Sequence, residues 1–359
     1  MSERLRVGVI GAGAFAEVGH LPGLVAHPRA EVVALCSRRP ERGRELAARF
    51  GVAEVVGDWA ALCARPDLDA VTLCTANDEH REAALAALAS GKHVLCEKPL
   101  APSLAEAEEM ARAAAAGRSV HLVGFTYRYL YGVQELRRRL RAGEVGEPLL
   151  FRAHHEYWNS LHPESAITWR ERRPAARGGV LHDTGSHLFD LARFLVGDLE
   201  AVRGATLCLP RQRRDARTGE VAAVETEDLA AAWMRFASGA GGHWQASRVT
   251  PPHGPAFVQV LGSEGLLEAA LSRGRFDALR RARPSPAGWS ADWEELALPP
   301  AARDGEAHAL PRMMAAFVDA CLAGAAAPED ASFADGLAVQ RALAAVETSS
   351  SSGWVSLAS

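Results

Sequence analysis

The run Leu5-Arg6-Val7-Gly8-Val9-Ile10 breaks directly into Gly11-Ala12-Gly13-Ala14-Phe15-Ala16, and that junction constrains the fold more than any other feature. Six residues rich in Val and Ile suit a buried strand. Glycine at 11 permits a sharp turn, glycine at 13 lets another group approach the backbone, and the small Ala16 lets a following helix lie close to the strand. A strand that turns this way into a helix meets its next strand in parallel, with helices covering the sheet.

Residues 4–124 repeat that alternation. A second strand is predicted at 31–36, and a helix at 40–50 has proline in its first turn and Gly51 as its stop. A strand at 70–74, a helix at 78–90 ended by Gly91, and a strand at 93–96 follow. Ser103 and Glu106 form a capping box for an alanine-rich helix ending at Gly117, and 120–124 closes the series. The expected fold class is α/β over residues 1–125, a doubly wound parallel sheet. From about residue 126 the strand patterns at 149–158, 201–209, 225–236, 242–249 and 257–261 are longer and half-polar. They predict a second, α+β domain over 126–330, with a largely antiparallel sheet wetted on one face. Helices are expected at 185–196, 311–323 and 334–349.

A chain of 359 residues and 48% hydrophobic composition supports about two domains of this kind. Its net charge of −4 contains no long single-sign block, which argues against nucleic-acid and membrane-surface partners. The basic run 137–141 reads as an exposed helix face, and the run 170–177 as a solvated loop. Six cysteines lack paired spacing, and several fall in apolar strand patterns. A soluble protein of the reducing cytoplasm is the expectation, since no apolar run approaches the roughly 20 residues that span a bilayer. No metal-ligand pattern is present.

A glycine turn at a strand's carboxyl end, backed by a helix N-terminus, offers N–H groups and a positive dipole to a dinucleotide pyrophosphate. Gly11, Gly13, Ala14, Phe15 and Ala16 are the residues expected there. At the end of the second strand an NAD site has Asp or Glu to hold the ribose hydroxyls. This chain has Ser37-Arg38-Arg39, a hydroxyl and guanidinium pair that fits a 2′-phosphate, so NADP is expected in preference to NAD.

Of 40 basic residues, 38 are arginine. The two lysines therefore stand out, because an ammonium in a partly dry pocket can lose its proton and a guanidinium cannot. Lys92, in Gly91-Lys92-His93, reads as a solvated turn. Lys98, in Cys96-Glu97-Lys98-Pro99, follows the fourth strand at the edge where such sheets bind ligands. Farther on, Gly178-Gly179-Val180-Leu181-His182-Asp183-Thr184-Gly185-Ser186-His187 leads into a helix with the apolar stripe Leu188, Leu191, Ala192 and Leu195. Asp183 and His187 share a face there, either as a cap and an interior histidine or as part of a site.

Taken in order, the glycine turn, Thr75-Ala76-Asn77-Asp78-Glu79-His80, the stretch from Gly91 to Pro99, the Gly-Gly…Asp-x-Gly-x-His segment and Asp335-Gly336-Leu337 resemble the glucose-fructose oxidoreductase / inositol dehydrogenase / rhizopine-catabolism (Gfo/Idh/MocA) family. The resemblance implies a Rossmann domain followed by an open-faced sheet domain, with residues 331–359 packing back on the first. It implies a cis Lys98–Pro99 bond and Lys98, Asp183 and His187 as catalytic groups. Hydride moves at carbon while a proton moves at its oxygen: His187 suits the proton transfer, Lys98 the developing charge, and Asp183 the orienting of His187 or of a hydroxyl. Thr75, Asn77, His80, Glu97 and Lys98 are implied to line the cofactor, and Trp169 and Arg170 to face cofactor or substrate. Tyr127 stands where many relatives carry a small polar residue, as an alternative acid or a stacking surface. The implied activity is interconversion of a secondary alcohol and a ketone on a sugar, cyclitol or related polyol by a homodimer or homotetramer joined through the second sheet. The alternatives are a non-catalytic nucleotide-binding regulator of the same fold and an NAD-dependent glycosidase, against which Ser37-Arg38 counts.

Overall fold

The computed structural model describes residues 4–158, 166–167, 171–172, 178–209, 211–215, 218–251, 256–271, 279–285, 288–289, 293–298 and 306–357. The chain divides into two units, Met1–Thr126 with Ala309–Gln340, and Tyr127–His308 with Arg341–Ser359.

In the first unit, strands β1 (Leu5–Ile10), β2 (Ala30–Cys36), β3 (Glu54–Val56), β4 (Ala70–Leu73), β5 (His93–Cys96) and β6 (His121–Val123) form a parallel sheet in the order β3-β2-β1-β4-β5-β6. All of β4 and the last three residues of β5 are buried, the signature of a sheet covered on both faces. The covering helices are α1 (Leu21–Ala26), α2 (Pro40–Phe50), α3 (Trp59–Cys63), α4 (His80–Ala89) and α5 (Leu104–Ala115). Helix α2 ends on Gly51 in the left-handed conformation, φ 71°. Ser103 caps α5 by accepting from the Glu106 N–H, while its hydroxyl donates to the Glu106 carboxylate at 2.6 Å.

Strand order reverses between β1 and β4, which opens the ligand crevice at their carboxyl ends. The helix Glu306–Ala323 buries Met313, Met314, Phe317 and Val318 completely. It lies flush against α1, where a Cβ on Gly23 would fall 2.7 Å from Met314. The sequence boundary sets residues up to 330 in the second domain, whereas Ala309–Ala323 packs within the first unit. The start of the last helix, Phe333–Ser352, belongs to that unit too. Gly336 has no room for a Cβ beside Leu100 and Val123, and the Val123 N–H donates to the Ala331 carbonyl at 2.7 Å.

Two readings of basic residues are corrected. Lys92 is buried, its ammonium donating to the Leu68 carbonyl at 2.7 Å, because the chain leading into β4 brings that carbonyl within reach of the turn before β5. In helix α6 (Tyr131–Arg141) Arg137 is not on an exposed face; its guanidinium lies 3.6 Å from the centre of the Phe194 ring.

The second unit holds strands β7 (Pro148–Glu156), β8 (Leu199–Leu207), β9 (Gln212–Arg214), β10 (Val221–Ala223), β11 (Leu229–Phe236), β12 (Gly241–Ser247), β13 (Phe257–Gly262), β14 (Leu266–Ala270), β15 (Leu279–Ala282), β16 (Pro284–Ser285), β17 (Gly288–Trp289), β18 (Glu294–Leu296) and β19 (Val355–Ser356). Nine of them form one sheet, β18-β15-β14-β13-β7-β12-β11-β8-β19, antiparallel except for the β7–β12 pair. Val202, Met234, Phe151 and Val260 stand in register on one face and are buried. Helix α7 (Ser186–Leu195) packs there, with Phe189 edge-on to Trp244 at 5.0 Å. On the opposite face Arg203, Trp233, His243 and Arg152 stand side by side, and Trp233 is 54% exposed. The half-polar strand pattern is the trace of those two faces.

No described helix is long and apolar enough to cross a membrane. All six cysteines are free, and burial pushes the Cys36 and Cys63 thiols up to about 11, so these are packing residues rather than nucleophiles.

Candidate active site

The glycine turn is built around one close approach. Gly11 has φ 113°, its N–H donates to the Cys36 carbonyl at 3.0 Å, and a Cβ there would sit 2.6 Å from the Cys74 carbonyl oxygen. A Cβ on Gly13 would meet nothing within 4 Å, so that side of the turn is open. The helix begins at Ala14; Ala14 and Phe15 are exposed and Ala16 is buried against the sheet. Beside the turn, at the end of β4, the buried Thr75 hydroxyl has no hydrogen-bond partner among the described residues. Open backbone, a helix N-terminus and an orphan hydroxyl fit a dinucleotide pyrophosphate and its ribose.

The adenosine end is less simple than Ser37-Arg38-Arg39 implies. The Ser37 hydroxyl donates to the Arg39 carbonyl and accepts from its N–H, at 2.9 and 3.1 Å. The Arg38 guanidinium pairs with Glu79 at 2.5 Å. Glu79 ends the short turn Asn77–Glu79, in which Asn77 is buried. Burial raises the Glu79 carboxyl and Arg38 pulls it back. Glu79 lies within the Thr75–His80 stretch of the resemblance, but nothing in the sequence marked it as the partner of Arg38.

Lys98 follows β5, half-buried, and its bond to Pro99 is cis. His80 holds this segment, with Nδ1 3.1 Å from the Pro99 carbonyl oxygen. A carbonyl only accepts, so Nδ1 carries the proton. Burial lowers the His80 pKa, offset in part by Pro99. A histidine depressed below its unfolded value is protonated first in the unfolded chain, so stability falls as pH drops through and below about 6.5. His80→Asn keeps a donor for Pro99 without the titrating ring. Its unfolding free energy between pH 7.5 and 5.5 is expected to fall less steeply than wild type, by up to ~1.4 kcal/mol per pH unit; identical slopes would refute the assignment. Glu97 is also buried, and its partner is a residue the sequence reading missed, His20, with Nε2 3.1 Å from Oε1.

In the second unit, the double glycine makes room for Glu227. Its carboxylate accepts from Gly179 N–H at 2.6 Å and Leu181 N–H at 3.1 Å, and a Cβ on Gly179 would overlap the Glu227 backbone. Glu227 therefore meets the N–H groups at this helix start, the capping task that one reading gave to Asp183. Asp183 lies within a π-turn, Leu181–Gly185, that runs into α7, and His187 is the second residue of α7. The Tyr127 ring stacks on the His187 ring, centroids 4.2 Å apart and planes 14° apart, and meets His155 edge-on at 6.0 Å. Tyr127 and His155, like His187, are buried. Trp169 and Arg170 lie outside the described residues, as do most of residues 170–177. No group of side chains among the described residues could hold a metal ion.

The family model for the GFO_IDH_MocA oxidoreductase family, NAD-binding Rossmann fold, matches residues 5–125, and the GFO/IDH/MocA C-terminal domain matches residues 133–268. A levoglucosan dehydrogenase of Pseudarthrobacter phenanthrenivorans is 32% identical over 268 residues, 68% of each chain. A myo-inositol 2-dehydrogenase of Thermotoga maritima is 29% identical over 274 residues, 74% of this chain and 75% of its own. The solved structure of a levoglucosan dehydrogenase in complex with NADH and levoglucosan superposes with a TM-score of 0.90 at 28% identity, covering 99% of this chain and 100% of that one. The parallel sheet with its open glycine turn and the mixed sheet with its π-turned helix are thus the two halves of a Gfo/Idh/MocA oxidoreductase, and the chain belongs to that family of nicotinamide-nucleotide-dependent dehydrogenases and reductases.

Proposed function

We propose that the chain interconverts a secondary alcohol and a ketone on a sugar, cyclitol or related polyol, with Lys98 and His187 handling the substrate oxygen. The observation that carries this reading is the placement of Lys98, one of two lysines in the chain, at the carboxyl edge of β5 in a segment held by the buried His80. A nicotinamide nucleotide held at the Gly11–Ala16 turn would supply or take up the hydride. His187 moves the hydroxyl proton, with its ring plane set by the Tyr127 stack. The Lys98 ammonium steadies the negative charge that develops on the oxygen, and Asp183 orients His187 or a neighbouring hydroxyl. The substrate class follows relatives named for levoglucosan and myo-inositol.

At the adenosine end, Arg38 and Arg39 are both exposed and no carboxylate stands at 37–39, which supports a 2′-phosphorylated nucleotide over NAD. Glu79 competes for Arg38. The exposed row around Trp233 supports self-association through the second sheet, and six free thiols support a reducing compartment.

Purified protein is tested with NAD+ and NADP+ against levoglucosan, inositols and alkyl glucosides, following reduced nucleotide by absorbance. Turnover of at least one polyol is expected, with a lower Kd for NADPH than for NADH. Binding of either nucleotide without turnover of any polyol would favour a regulator. Tighter NADH binding would overturn the phosphate preference alone.

A further inference from the structure

We propose that Glu97 is a fixed buried negative charge that favours the oxidised, cationic nicotinamide over the reduced, neutral one, with His20 as its positioning residue. The proposal rests on the cofactor reading above and deepens it by assigning a redox bias to the site.

Glu97 is 6% exposed and His20 0%. The carboxylate has two partners: Oε1 meets His20 Nε2 at 3.1 Å, and Oε2 accepts from the Lys98 main-chain N–H at 3.3 Å. Among the described ion pairs it enters only the one with His20. His20 Nδ1 has no hydrogen-bond partner. A protonated ring would bury an unsatisfied donor at that atom, whereas a neutral ring with its proton on Nε2 leaves only an unused acceptor. The ring is therefore neutral and the carboxylate keeps its whole charge.

Three segments fix that charge in place. The end of β5 supplies Glu97. The π-turn Ala16–His20, directly behind the glycine turn, delivers His20; such turns recur at functional sites. Gly124, just past β6, yields the space, since a Cβ there would lie 2.9 Å from the carboxylate. The charge is felt by its neighbours: Cys74 and Cys96 are raised by burial first and by Glu97 second.

A buried carboxylate whose described partners are a neutral ring and a main-chain N–H is costly, and the cost falls when a positive group binds nearby. The oxidised nicotinamide ring is positive and the reduced ring is not. The carboxyl ends of β4 and β5 belong to the second mononucleotide half of such a sheet, the half that faces the nicotinamide when adenosine sits over β1 and β2.

Calorimetry on the full chain tests this with NAD+, NADH, NADP+ and NADPH. Glu97→Gln is expected to weaken the oxidised form about tenfold and to leave the reduced form within about twofold. Equal shifts of both forms, or a larger loss for the reduced one, would overturn the proposal. His20→Leu serves where Glu97→Gln does not fold. Without the Nε2 donor the carboxylate is no longer held in place, so the preference for the oxidised form over the reduced form is expected to shrink at least about threefold. The other titratable groups that feel its charge are His80, Cys74 and Cys96. A ratio in His20→Leu that is unchanged from wild type also overturns the proposal, because a merely structural histidine would give that result. Wild-type protein that binds none of the four nucleotides overturns the cofactor reading itself, an outcome distinct from the others.

Discussion

Lys98→Met is expected to lower kcat about 10³-fold, ~4 kcal/mol of transition-state stabilisation, while nucleotide Kd stays within about threefold. Methionine keeps the length and apolar stem of lysine and removes only the ammonium. The segment around it tolerates the change, because Leu100 and Ala101 are buried and His80 holds the Pro99 carbonyl independently of residue 98. The thermal midpoint should therefore match wild type, so that lost turnover reports lost chemistry. Lys98→Arg is not expected to rescue it, since a planar guanidinium neither fits the volume of an ammonium nor gives up a proton. Steady-state kinetics on the best polyol from the panel decide the matter. A Lys98→Met enzyme within tenfold of wild type would remove Lys98 from the chemistry and leave the family assignment standing.

The parts legible in the sequence are those whose cause is local. Leu5–Ile10 announces itself by apolar length, Pro40–Phe50 by a proline start and a left-handed Gly51 stop, and the Leu104–Ala115 helix by its Ser103–Glu106 cap. Short elements leave no period to read: Leu21–Ala26, Glu54–Val56 and Trp59–Cys63 are six, three and five residues long. The glycine turn is legible because each glycine answers a steric demand within the motif. The partners of the site residues are not. His20 meets Glu97 across 77 positions, Glu227 meets Gly179 across 48, and nothing near His20 or Glu227 marks either as special. Lys92 shows the same limit from the other side. A glycine turn usually means solvent, and only the fold supplies the Leu68 carbonyl that buries its ammonium.

Asp190→Leu is expected to destabilise the second unit by about 3–5 kcal/mol, because it takes the bidentate carboxylate away from a buried guanidinium. Arg128 is 3% exposed and Asp190 0%. Arg128 Nε donates to Oδ2 at 2.9 Å and Nη2 to Oδ1 at 2.6 Å, while its guanidinium carbon lies 4.8 Å from the Phe194 ring centre. A leucine at 190 removes both carboxylate acceptors from a buried guanidinium. Replacing both members, Arg128→Met with Asp190→Leu, removes the buried charge as well and should return stability to within about 1.5 kcal/mol of wild type in urea unfolding. Function should not return with it. Arg128 follows Tyr127 in the chain, and Asp190 lies one helical turn beyond His187, so the bidentate pair fastens the tyrosine turn to the helix that carries the histidine. With two flexible side chains in its place, the stack of Tyr127 on His187 loses its alignment, and kcat is expected to fall about tenfold, ~1.4 kcal/mol, in a protein that is otherwise folded. A double variant as stable as expected and fully active would show that His187 needs no help from Tyr127. A single variant that loses less than about 1 kcal/mol would show that water reaches the Arg128 site.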